Sequence, residues 1–277
     1  MIRFAKNSDV PFLKALWREA FGDDDSFINF FYEHRFSESN TLIWAENEIP
    51  VAMLTLLPAQ MKMGKKFYPV RYVYGVATKL EYRGRGISSE LICYINEQAN
   101  KSHEMLVLVP AQESLFEFYK KFGYQKCFYL KDYSFPVQEN LPVSYEVRPI
   151  SPDEYKAIRD SRFQDDGYII WDEKALAYII EENTFWNGYT VMIEHHRAKD
   201  ILMYYIKAKT LHVKETSLNK DVLFPILSDI AFKMGCHTVH ARLSQGHELD
   251  FTSRAFGMIY TKISLDIPKA YFNLVSD

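Results

Sequence analysis

The chain has 277 residues, 48 % of them hydrophobic, with 33 Lys and Arg against 36 Asp and Glu for a net charge of −3. This composition supplies a core for one large domain or two ordinary ones and excludes general disorder. Charges of both signs are interspersed, so no basic block points to nucleic acid or to a membrane surface. No apolar run approaches the roughly 20 residues that span a bilayer. The opening MIRFAKNSDVPFLK lacks the apolar stretch of a signal peptide. Three scattered cysteines, Cys93, Cys127 and Cys236, fit reduced thiols better than a disulfide framework. A soluble cytoplasmic protein is the expectation.

Residues 1–6 alternate apolar and polar, which predicts a half-buried strand. Ser8 or Asp9 is placed to cap a following helix, with Pro11 in its first turn. Phe12, Leu13, Leu16, Trp17 and Ala20 recur at helical spacing, and Gly22 stops the run. A second short helix, 27–36, follows the acidic Asp23-Asp24-Asp25. Strands are predicted at 41–46 and 50–60, joined by a turn at Asn47 and Pro50, and a β-rich stretch covers 67–79. It runs into a glycine loop at 83–86, a helix at 87–100, a strand at 105–109, a helix at 112–122 and a strand at 124–133.

At 136–144 the composition changes to a linker, and a second pass through the same programme begins. The strand-like 145–150 parallels the opening strand, and Ser151–Phe163 parallels the first capped helix. Strand-like segments at 189–196 and 200–213 precede a helix at 218–234. Late in each half a Phe-Gly turn leads into a strand, Phe122-Gly123 and Phe256-Gly257. The shared order predicts an internal duplication, with domains at 1–137 and 145–277. Where the first copy has EYRGRGISS, the second has KETSLNKDV, without a glycine or an arginine pair. Only the first copy is expected to hold a phosphate.

The chemistry-bearing stretch is Tyr74–Ser89. A β-rich segment enters the tight turn Arg83-Gly84-Arg85-Gly86, which opens directly into the helix of Ile87, Leu91, Ile92 and Ile95. Such a turn gathers backbone N–H groups at an electropositive helix N-terminus. Gly84 and Gly86 permit close backbone approach, and Arg83 and Arg85 add forked donors suited to phosphate oxygens. The alternative is an ordinary glycine turn with two solvated arginines. Neither the Gly-Lys-Ser/Thr of a P-loop nor the G-x-G-x-x-G of a dinucleotide fold is present.

Arg83-Gly84-Arg85-Gly86-Ile87-Ser88 resembles the Q/R-x-x-G-x-G/A coenzyme A motif of the GNAT acetyltransferases, departing at Ser88, where that family usually has Gly or Ala. The resemblance implies an α/β fold of two tandem GNAT-like domains, each a mixed, mostly antiparallel twisted sheet flanked by helices. It implies acetyl-CoA as cosubstrate, its phosphates on Arg83, Gly84, Arg85, Gly86, Ile87, Ser88 and Ser89. Its pantetheine arm would pair with the backbone of Val76, Ala77 and Thr78. Phe118-Tyr119-Lys120-Lys121-Phe122-Gly123-Tyr124 resembles the family's Tyr-x-x-x-Gly-Phe/Tyr, whose tyrosine protonates the departing thiolate. Tyr119 falls at that position, although Leu115, Phe118, Tyr119 and Phe122 also form an apolar helical stripe that would make it core. Gln112 falls where many members have a cofactor-contacting Asn. The tandem order and the FYKKFGY form are similar to the enhanced-intracellular-survival type of N-acetyltransferase. That type carries a third, sterol-carrier-like domain, whereas this sequence stops at Asp277.

The implied reaction is direct acyl transfer from the thioester to a primary amine in a ternary complex. It needs a base or water chain for the amine proton and a donor for the thiolate. Glu33 on the second helix and Asp23 to Asp25 just before it are the candidate bases, against the plain reading of a solvated helix entry. The acceptor is left open among small-molecule and peptide amines. Phe163, Trp171, Tyr178, Phe185 and Trp186 offer either a homo-oligomer interface or a cap on the acceptor pocket. His195-His196, Cys236, His237, His240 and His247 match no metal-ligand spacing, and no metal is expected. Cys93 lies away from the apolar stripe of its helix and has no activating histidine nearby, so it reads as an ordinary thiol. A protein that binds acyl-CoA without turnover, as a sensor or scaffold, is the alternative from a different class.

Overall fold

A computed structural model describes residues 1–139, 141–247, 253–263, 267 and 270–274 of the chain. Strand β1 (Ile2–Phe4) leads through a 3-10 turn into α1 (Val10–Phe21), which ends at Gly22 with φ 76°. Neither expected cap closes α1 with its side chain. Asp9 turns its carboxylate back to the Lys6 amide (2.7 Å) and to Arg3 (2.7 Å), which closes the preceding turn instead. Helix α2 (Asp25–Arg35) begins earlier than the apolar spacing predicts because Asp24 caps it, accepting from the Phe27 amide at 2.9 Å. Next come β2 (Thr41–Glu46), β3 (Ile49–Met63) and β4 (Lys66–Thr78). They are followed by α3 (Ile87–Ser102), β5 (Met105–Leu108), α4 (Glu113–Lys120) and β6 (Gln125–Pro136).

The later half runs β7 (Glu146–Pro149), α5 (Pro152–Arg162), β8 (Tyr168–Ile170), α6 (Glu173–Phe185) and β9 (Tyr189–His195). It continues with β10 (Ala198–Lys207), β11 (Thr210–Thr216), α7 (Lys220–Lys233), β12 (Thr238–Ser244) and β13 (Ser253–Tyr260). Ser151 and Glu154 form a reciprocal capping box that starts α5. Two readings of the sequence are corrected here. The segment 200–213 is not one strand, because Ala208 and Lys209 both take left-handed φ (48° and 59°) and turn β10 back into β11. Phe256-Gly257 is not a turn either: both residues lie inside β13, whereas Gly123 does turn, at φ 88°.

The chain forms two compact units, each assembled from separate stretches of sequence. The first combines Met1–Gln60, Tyr68–Gln125 and a late stretch beginning at Met258. Within it β1, β2 and β3 pair antiparallel, β4 and β5 pair parallel, and Met258–Tyr260 of β13 pairs antiparallel with β5. Its helices cover the sheet with Leu13, Leu16 and Trp17 of α1, Phe27, Ile28 and Phe31 of α2, and Ile87, Leu91, Ile92 and Ile95 of α3. Helical spacing assigned Leu13, Leu16 and Trp17 of α1 and the four α3 residues to buried faces, whereas Phe12 of the same α1 stripe is exposed.

The second unit combines Met61–Phe67, Lys126–Gly257 and a last stretch that includes Ala270–Leu274. Here β7, β9, β10 and β11 pair antiparallel in succession, β11 and β12 pair parallel, and β6 pairs antiparallel with β12. The order β11–α7–β12 thus repeats β4–α3–β5 of the first unit. Leu223, Ile226, Leu227 and Ile230 of α7 pack with Leu211, Val213, Val239 and Ala241 of the sheet. Trp171 and Tyr178, read as interface or cap residues, are core here, while Trp186 is exposed.

Candidate active site

The site is built where β4 leaves the sheet of the first unit. The parallel register joins Val70, Arg71 and Tyr72 to Met105, Leu106 and Val107, and β5 stops at Leu108 while β4 continues to Thr78. Gly75 takes φ 61° inside β4, a conformation that interrupts a strand and that other residues adopt with strain. A Cβ there would lie 3.2 Å from the Trp17 ring, so the glycine also admits that ring. Beyond the interruption, Val76, Ala77 and Thr78 extend past the end of β5. The opposite edge is held by β3, with the Lys79 amide donating to the Val51 carbonyl at 2.9 Å.

Leu80–Tyr82 then makes one 3-10 turn into the loop. Gly84 (φ 75°) and Gly86 (φ 81°) are both left-handed, and a Cβ at either would meet nothing within 4 Å. Gly86 is the N-cap of α3 and provides no side chain to occupy the first amides of the helix. Ile87 is buried beneath the loop, and Ser88 and Ser89 lie half-buried on the first turn. The Arg83 side chain donates from Nε to the Thr78 carbonyl (3.0 Å), and Arg85 donates from Nη2 to the Glu81 carbonyl (3.0 Å). The Arg85 guanidinium lies 4.8 Å from the centre of the Tyr82 ring, whose hydroxyl donates to Glu46 at 2.5 Å. Both arginines are exposed but aimed by the backbone they hold. The result is a glycine loop flanked by two cations, at the positive end of a helix of 16 residues that has no side-chain cap.

Tyr119 is buried on α4, edge-on to Tyr124 at 5.7 Å between ring centres. Burial pushes its pKa up to about 12. Its hydroxyl has no hydrogen-bond partner among the described residues. Tyr124, by contrast, donates to Asn96 of α3 at 3.2 Å. Tyr119 is therefore both a core residue and an uncommitted proton donor. Gln112 is the exposed N-cap of α4 and makes no side-chain cap.

Glu33 lies exposed on α2. The acidic run before it is committed to structure. Asp23 accepts from Trp17 Nε1 at 2.7 Å, Asp24 caps α2, and Asp25 pairs with Arg18. Hydrogen bonds from Ser26 and from the Phe27 amide hold the Asp24 carboxyl below the usual range. Among the described residues no group of three His, Cys, Asp or Glu side chains is placed to hold a metal ion, and no helix is long and apolar enough to cross a membrane. Cys93 is exposed.

Sequence reasoning passed over two supporting residues. Tyr82 carries Arg85 on its ring, and nothing in its local spacing announces that. Gly75 did leave a signal, since a lone glycine in an apolar strand marks a bulge or a close approach.

Comparison with known proteins agrees with this geometry. Residues 1–127 match the acetyltransferase (GNAT) domain model, and this part of the chain is a GNAT acetyltransferase domain. The fold of the whole chain is shared with solved GNAT-type structures. A GCN5-related N-acetyltransferase from Anabaena variabilis superposes with a TM-score of 0.74 at 15% identity, covering 94% of this chain and 72% of that one. One from Kribbella flavida gives 0.69 at 18%, covering 94% and 70%. Eis1 from Mycobacterium abscessus gives 0.68 at 11%, covering 94% and 73%. No curated protein shows significant sequence similarity to the chain.

Proposed function

We propose that the chain is an N-acyltransferase that moves an acetyl group from acetyl-CoA to a primary amine, with both substrates bound together. The observation that carries this reading is the uncapped start of α3, preceded by two left-handed glycines with open space above them. That cradle fits a pyrophosphate, and Arg83, Arg85, Ser88 and Ser89 are the donors around it. The stretch Val76–Thr78, which runs past the end of β5, suits an amide-bearing arm laid alongside it as an added strand.

In the proposed reaction the neutral amine adds to the thioester carbonyl, the C–N bond forms, and the C–S bond breaks. Tyr119, protonated far above neutral pH, supplies the proton to the departing thiolate. The amine proton leaves to water or to Glu33. Most of the acceleration then comes from positioning two substrates against one another. Binding without turnover, as in a sensor, is favoured by one observation: Asp23, Asp24 and Asp25 are occupied, so Glu33 is the one candidate base left from that region.

Calorimetric titration with acetyl-CoA separates these readings from none at all. Saturable binding that is lost in the folded Arg83→Ala, Gly86→Asp double variant supports the cradle. No binding by the parent chain overturns both readings. Coenzyme A release with a panel of amines, absent in Tyr119→Phe, then distinguishes the enzyme from the sensor.

A further inference from the structure

The second unit has lost the glycine loop but keeps a cavity at the corresponding place. It opens beyond the C-terminal ends of the parallel strands β11 and β12, with a volume of about 190 Å3. Ser217 and Asn219 line it from the β11–α7 connection, and Ser244, Gly246 and His247 from the end of β12. An engineered cavity of about 150 Å3 holds a benzene ring, so this one has room for a ring with a short arm.

Phosphate is not the ligand that these walls favour. Asn219 caps α7 with its own side chain, taking the Asp221 amide at 3.0 Å, so the helix start is already occupied. Arg162, the cation on the wall, is also occupied, pairing with Asp200 at 3.2 Å and donating to the Lys199 carbonyl at 3.1 Å. Asp200 in turn accepts from Ser217 and contacts His195.

What stays open on the wall accepts protons. Asp165 has no ion-pair partner among the described residues. His247 is hydrogen-bonded to the backbone of Leu218, and its buried Nε2 has no hydrogen-bond partner among the described residues. Burial keeps its pKa below the ordinary histidine value, which leaves the ring neutral and Nε2 an acceptor. The rest of the wall is aromatic. Phe163 and Tyr271 lie 4.4 Å apart between ring centres, and Tyr168 stacks with Tyr271 at 14°.

These rings are held from behind. Arg159 and Glu215 form a fully buried ion pair, with Nε–Oε2 at 2.9 Å and Nη2–Oε1 at 3.2 Å. Tyr271 donates to Glu215 at 2.8 Å, and Arg159 donates to the Tyr168 hydroxyl at 2.7 Å. Both tyrosine hydroxyls are thereby drawn into the ion-pair network. A buried ion pair is by itself weak evidence of added stability. Here it anchors two rings of the wall through their hydroxyls.

We propose that this cavity binds a small primary amine with a flat apolar body, its ammonium met by Asp165 and His247 and its body laid on the rings of Phe163, Tyr168 and Tyr271. The site is separate from the glycine loop and does not rest on acyl transfer there.

The test is calorimetry on the full chain with four probes: 2-phenylethylamine, 2-phenylethanol, 3-phenylpropionate and inorganic phosphate. The amine binds saturably, about tenfold or more tighter than the alcohol, and the two anions do not compete. Asp165→Asn, an exposed and conservative change, weakens the amine about tenfold or more. A Cβ at Gly246 would meet Asp165 Oδ2 at 3.5 Å and Ser244 Oγ at 3.7 Å, which is ordinary contact, so Gly246→Leu fills the cavity mouth and blocks binding. Tighter binding of either anion overturns the proposal. So does saturable amine binding that Asp165→Asn leaves unchanged, which would place the amine elsewhere. Absence of saturable amine binding to the folded parent overturns it as well.

Discussion

Arg83 donates through Nε to the backbone carbonyl of Thr78 at 3.0 Å, tying the glycine loop to the end of the strand it follows. The two parts of the proposed cofactor site are thus held in one frame by a side chain from the loop itself. Arg83→Ala removes that tie together with a cation. Acetyl-CoA binding is expected to weaken about tenfold to a hundredfold, read by calorimetry. The side chain is exposed, so the melting temperature should move by no more than about 2 °C.

Gly86 and Gly75 differ in what an added methyl group meets. At Gly86 the penalty is the left-handed backbone alone, about 1–2 kcal/mol, because no atom lies within 4 Å of the new Cβ. At Gly75 the same kind of strain is joined by a 3.2 Å approach to the Trp17 ring. Gly75→Ala should therefore lower the melting temperature more than Gly86→Ala. The order of the two reverses for acetyl-CoA affinity if the loop is the cradle.

Tyr119→Phe separates chemistry from packing. The ring stays buried and the lost hydroxyl leaves no described partner unsatisfied, so stability should be nearly unchanged. Turnover should fall by roughly 10²–10⁴-fold, the usual contribution of a positioned acid. With its pKa pushed up to about 12, Tyr119 should give no alkaline loss of the proposed transfer rate below about pH 11 in the parent chain. A loss near pH 9 or 10 would assign the proton to another group.

The same direction of shift recurs in the tyrosines of both units. Burial raises the pKa of Tyr119 and Tyr204 to about 12 and lifts Tyr124, Tyr155, Tyr168 and Tyr271 well above the ordinary value. Unfolded tyrosines release their protons near pH 10, while the folded ones retain them. Between about pH 10 and 12 the unfolded chain binds fewer protons, so stability falls as pH rises. Urea midpoints should be flat from pH 8 to 9 and drop steeply above 10.

Glu215→Gln leaves Arg159 charged in a fully buried site, which should destabilise the second unit by about 3–5 kcal/mol. The double change Arg159→Met, Glu215→Leu should recover only part of that loss. Tyr155 and Tyr271 both donate to Glu215 and would be left without their acceptor. Denaturant titration followed by circular dichroism compares the three chains.

The glycine loop and the helix after it were legible because their residues are local and chemically unusual. Gly84 and Gly86 do take the left-handed conformations that justify glycine there. The β10–β11 hairpin was not legible. Its turn consists of Ala208 and Lys209, which carry none of the Asn-Gly character such turns favour, so the paired strands on either side impose it. The role of Asp9 was obscured for a similar reason. A carboxylate before an apolar helix reads as a cap, but Arg3, six residues back, draws it the other way. The second-unit cavity escaped the sequence altogether, since its walls come from residues between Arg162 and Tyr271 that only the fold assembles.

The pairing of Met258–Tyr260 with β5 also sets a timetable for synthesis. Met258 leaves the ribosome 133 residues after Gln125, an interval of about 7–27 s at typical elongation rates of roughly 5–20 residues per second. Until then the edge of β5 that β13 will occupy is an open template for other strands. The first unit is finished only when Met258–Tyr260 has been made, after Lys126–Gly257 of the second. A chain stopped before Met258 therefore lacks the strand that pairs with β5 and leaves that edge of the first unit's sheet open.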